Sequence, residues 1–190
     1  MAFSFHPQDY GPVCQSVISR DEPNELGPGT PDRGRLDQLR ELNTAAIFSD
    51  RQVTDRDMAA CCLSALWLRH NFLEESHKIS QDIGTATGSY WHGIMHRREP
   101  DFSNAKYWFR RVGEHTIWPD LNEQVKSLVE PQPLDDSSQY LAGQSDSDAF
   151  RFVDLCQASI AGRANESLCR QIAELEWQML FDHCYRRAIS

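Results

Sequence analysis

From Leu36 to the C-terminus the apolar residues of this chain recur three and four apart, and no run of β-branched residues alternates with polar ones. That spacing suits the 3.6-residue period of a helix and not the two-residue period of a strand. The sequence therefore predicts an all-α fold. Leu36, Leu39, Leu42, Ala46 and Ile47 predict one helix of about four turns. Thr54 and Asp57 make a cap pair for a long helix carrying Met58, Cys62, Leu66 and Leu73 and reaching about Ile83. A helix from about Ser89 ends near Glu99, because Pro100 disfavours helical geometry at the residue before it. Another runs from about Phe102 until Gly113 stops it, and a short one begins at Trp118 with Pro119 in its first turn. Ala149 to Ala161 and Asn165 to Ala188 complete a set of about seven helices, with the acidic stretch 130–148 read as loop.

The boundaries follow from composition. Residues 1–34 hold Pro7, Pro12, Pro23, Pro28 and Pro31 and no apolar period, so they read as an irregular Pro/Gly-rich arm, either free or laid across the body as a lid. Residues 35–190 form a single compact helical domain. At 190 residues and 40% hydrophobic content the chain can bury a core without disulfides. Its six cysteines include no C-x-x-C pair and read as reduced thiols. A net charge of -9 argues against general affinity for nucleic acid or an anionic membrane. No stretch reaches the roughly 18 apolar residues of a membrane span, and the N-terminus lacks a basic start followed by an apolar run, so a cytoplasmic location is expected.

Against that acidic background residues 89–111, SYWHGIMHRREPDFSNAKYWFRR, carry a net charge of +3, two histidines and six aromatic rings. Arg97, Arg98, Asn104 and Lys106 could orient an anionic group, with Tyr90, Trp91 and Tyr107 as walls. Trp108 and Phe109 read as core rings. The competing explanation sets the basic block against the acidic stretch 120–148.

Two polar rows sharpen the picture. On the expected long helix His70, Glu74, His77 and Gln81 are four, three and four apart, and His92, His96 and Glu99 repeat the four-then-three spacing. If the two helices pack antiparallel across GTATGS, the imidazoles converge. His77, His92, His96 and Glu99 then become candidates for acid/base catalysis, and His77, His92, His96 and Glu74 candidate ligands for a divalent metal, zinc or iron. The pattern departs from H-E-x-x-H, since Gly93 replaces the glutamate. No G-x-S-x-G elbow or P-loop lysine is present.

The stretch YWHGIMHRREPDFSNAKYWFRRVGEH resembles a family of small uncharacterised bacterial and fungal proteins sharing a YWHxxxHRRExDxSNAKYW block, over about residues 60–118. Pro100 stands where that block has glycine. The resemblance implies no activity. The functional expectation is an enzyme acting on a small polar or anionic organic substrate, with a His/carboxylate site and an Arg/Lys pocket. Two others are a non-catalytic module for an acidic ligand or peptide, and a homo-oligomer joined through the basic block.

Overall fold

The computed structural model describes residues 3–19, 22–49 and 51–190, and all its regular elements are helical. Met1, Ala2, Arg20 and Asp21 of the expected arm lie outside the described residues. In chain order the α-helices are α1 (Gly11–Ile18), α2 (Leu36–Glu41), α3 (Thr44–Ile47), α4 (Arg56–Arg69), α5 (Leu73–Ser80), α6 (Ala86–Arg98), α7 (Phe102–Val112), α8 (Trp118–Val129), α9 (Tyr140–Gly143), α10 (Ala149–Ile160) and α11 (Glu166–Ala188).

The all-α expectation holds among the described residues. The expected number of helices does not, and the reasons are local. The helix expected over 36–47 breaks at Leu42, which is extended; the Asn43 side chain accepts from the Ala46 amide and starts a new helix. The helix expected over 58–83 breaks between His70 and Phe72, where Asn71 is left-handed at φ 63°, a conformation asparagine tolerates better than most residues. The cap of α4 is Asp55, whose carboxylate accepts from Met58, while Thr54 donates to the Ala188 and Ser190 carbonyls. Thr85 caps α6, which thus starts earlier than expected. Gly88 lies within its first turn because a Cβ there would overlap the Ile83 carbonyl oxygen. The arm and the acidic stretch each contain a helix, α1 and α9.

Helix α6 is buried from Thr87 to Arg98 and packs on α4, α5 and α7, while α11 packs on α4 and α10. A helix buried all round belongs to the core and not to an amphipathic outer layer. The arm is tied into the same body. Tyr10, Cys14, Val17, Ile18 and Leu26 are buried, and Tyr10 donates to Asp182 at 2.8 Å. Arg69 donates to Ile18 O, Arg98 to Gly27 O and Arg170 to Asn24 O, so guanidinium groups of the body hold arm carbonyls. All six cysteines are buried and free of disulfides. No helix among the described residues is long and apolar enough to cross a membrane.

Candidate metal centre

Helices α5 and α6 pack on each other across the turn at 81–85, which brings His77 over His92 and His96. The ring centroids lie 4.7 Å and 5.3 Å from His77, and one nitrogen from each of the three rings lies within 4.8 Å of the others. Residues four apart on α6 share a face, so the Nε2 atoms of His92 and His96 meet at 2.9 Å. Nitrogens bound to one tetrahedral zinc at about 2.0–2.1 Å stand roughly 3.3 Å apart.

Around the three rings the neighbours are polar or aromatic. Glu99, one turn past His96, accepts from His96 Nδ1 at 3.1 Å, and Asn104 Nδ2 of α7 lies 3.1 Å from His96 Nε2. With its Nδ1–H donated to Glu99, His96 presents an Nε2 lone pair. His92 Nε2 faces it at 2.9 Å, and the His92 ring also lies against the Ser80 backbone. Trp108 stacks on His92 at 3.9 Å between centroids, 21° from parallel, and the Arg111 guanidinium lies over the Trp108 ring at 5.2 Å.

Burial pushes the His92 pKa down to about 3, and the neighbouring His96 and His77 charges add to the effect. Burial also lowers His96, partly opposed by the Glu99 carboxylate. Both rings are therefore neutral at ordinary pH. Neutral imidazole is the ligand form, and a histidine held near 3 is a weak general base. The arrangement suits metal ligation better than unaided proton transfer.

Several expected site residues fall elsewhere. Glu74 is exposed and pairs with Lys78 at 3.2 Å, outside the converging set. His70 of the same row turns into the arm, with Nε2 2.8 Å from Val17 O, because the helix break rotates it away from His77. Arg97 is buried against Glu176 of α11, and Arg98 donates to Gly27 O, Pro28 O and Asn71 Oδ1, so neither guanidinium orients a substrate. Burial alone would lower Arg97, but the Glu176 charge outweighs it and holds the guanidinium above its ordinary pKa. Tyr90 donates to Glu176 at 3.0 Å and Trp91 to Cys184 Sγ, which makes both core residues and not walls. Lys106 pairs with Asp154 of α10, and Tyr107 is 48% exposed, edge-on to Trp108. Arg97 and Lys106 of the basic block thus find acidic partners on α11 and α10, and among the described residues no ion pair joins the block to the stretch 120–148. Asn104 and Glu99 stand beside the imidazoles as expected. Trp108, assigned to the core on sequence, is the residue that reading missed; its position four after Asn104 on α7 was the available signal.

A cleft of about 650 Å³ between the arm and the start of α5 reaches this region at Glu99. Comparison with known protein families, curated proteins and solved structures gives no match.

Proposed function

We propose that the chain is a metal-dependent enzyme acting on a small polar organic molecule, with His77, His92 and His96 as the metal ligands. The observation that carries this reading is the convergence of three imidazoles from two helices, two of them almost wholly buried. Three histidines with a position left open is the donor set of catalytic zinc sites. Open iron sites more often take two histidines and a carboxylate, which favours zinc here. Bound there, the metal would supply Lewis acidity and lower the pKa of a water molecule. Glu99 fixes the His96 tautomer and ring, as outer carboxylates do for metal-bound histidines. Asn104 adds an amide that can hold a substrate oxygen or a water. The binding-module reading loses support, because Arg97, Arg98 and Lys106, which it needs for an acidic ligand, are engaged within the fold.

Elemental analysis of protein purified without a histidine tag tests the proposal. About one zinc-class ion per chain is expected, and His92→Ala with His96→Ala should abolish it while helical circular dichroism is retained. Glu99→Gln should weaken metal affinity about 10–100-fold. A chain that takes up neither zinc, cobalt nor iron would overturn the reading.

A further inference from the structure

The cleft that reaches the histidine cluster at Glu99 is lined by charges of both signs. The arm and α2 contribute Arg33 and Arg40, and α5 contributes Glu75 and Glu74, the latter also paired with Lys78. Pro31, Leu36 and Phe72 add apolar lining. Arg33 and Arg40 are exposed, and among the described residues Arg40 forms one loose ion pair, to Asp37 at 3.6 Å, 97% exposed on its carboxylate side. These cations, unlike Arg97 and Arg98, remain accessible to a ligand.

Two helices tie the cleft to the candidate metal centre. Glu74 lies three residues before His77 on α5, and Glu99 three residues after His96 on α6. On both helices the cleft wall is therefore about one turn, roughly 5 Å, from a proposed ligand. Glu99 belongs to both places, since it lines the cleft and accepts from His96. The cleft's 650 Å³ falls within the range of about 300–1,000 Å³ usual for ligand sites.

We infer that this cleft is the substrate site of the centre and that it takes a short zwitterionic molecule of the dipeptide class. The carboxylate lies between Arg33 and Arg40, the ammonium group faces Glu74 and Glu75, and an apolar side chain rests on Pro31, Leu36 and Phe72. Guanidinium forks match carboxylate geometry, and a lining that carries both signs selects a molecule charged at both ends over a simple anion. The identity of the substrate class rests on the metal-enzyme reading above; the binding itself does not.

Calorimetric titration of the zinc-loaded full chain with leucyl-leucine, its N-acetyl form and its C-terminal amide tests the assignment. The free dipeptide should bind, and blocking either end should weaken binding about tenfold. Arg33→Ala with Arg40→Ala should weaken the free dipeptide by a similar factor yet leave the C-terminal amide unaffected, and Glu75→Gln should show the mirror pattern with the N-acetyl form. Arg33 and Arg40 are exposed, Glu75 is half-buried, and none of the three is a proposed ligand, so zinc content should not change. Absence of dipeptide binding, or binding indifferent to the blocked ends, overturns the inference. A zinc-free chain that still shows the end-specific pattern supports the cleft while removing the metal reading, and a zinc-loaded chain blind to dipeptides does the reverse.

Discussion

Helix α6 carries charged or ionisable groups on two faces, and they are treated in opposite ways. On one face Arg97 meets Glu176, Tyr90 OH joins the same carboxylate, and Arg97 lies over the Phe152 ring at 4.7 Å. The main polar groups of that network are paired, as a buried ion pair requires if its desolvation is to be offset. On the other face His92 and His96 crowd against His77 of α5, with one hydrogen bond between two of the three rings. A closed network holds a fold together; a convergent set of lone pairs that the fold leaves incomplete is suited to an outside partner.

The largest effect separates the two faces by stability. Arg97→Ala strands Glu176 as an unpaired buried charge and should cost about 3–5 kcal/mol, seen as a lowered denaturant midpoint. His96→Ala, at a ring whose partner Glu99 remains solvated, should cost less than half of that. Equal costs would erase the distinction. A second measurement uses pH. Because His92 and His115 are held at about 3 and about 4 in the folded chain against 6.5 when free, the unfolded chain binds more protons between those values. Their contribution to stability is complete above pH 6.5 and is lost as pH falls toward 4, with a slope of up to about 1.4 kcal/mol per pH unit for each group. His92→Gln should flatten the slope by its share, whereas Glu176→Gln should lower the whole curve.

Much of the histidine face was legible in the sequence. Spacings of four and three on either side of a short glycine-bearing turn were enough to place His77, His92, His96 and Glu99 together, because helix periodicity and a short turn are local properties. The closed face was not legible. Arg97 and Arg98 looked like an anion site because their partners lie far along the chain: Glu176 is 79 residues away and the Gly27 carbonyl 71. The helix break at Asn71 was hidden for the same reason. Its cause includes contacts to the arm, and sequence periodicity alone read straight through it. Trp108 was misplaced because an aromatic at helical spacing gives the same signal whether it faces the core or a neighbouring imidazole.

Asn71 reaches further than its own turn. Its Oδ1 accepts from Asn24 and from Arg98, its Nδ2 donates to Thr30 O, and Gly29 passes so close that a Cβ there would collide with the amide. One side chain thus braces the corner leading into the rod that bears His77, the end of the rod that bears His96, and the strap crossing both. Trimming the strap would therefore remove partners from a side chain that touches the lead-in to both histidine-bearing rods while leaving the imidazoles themselves untouched.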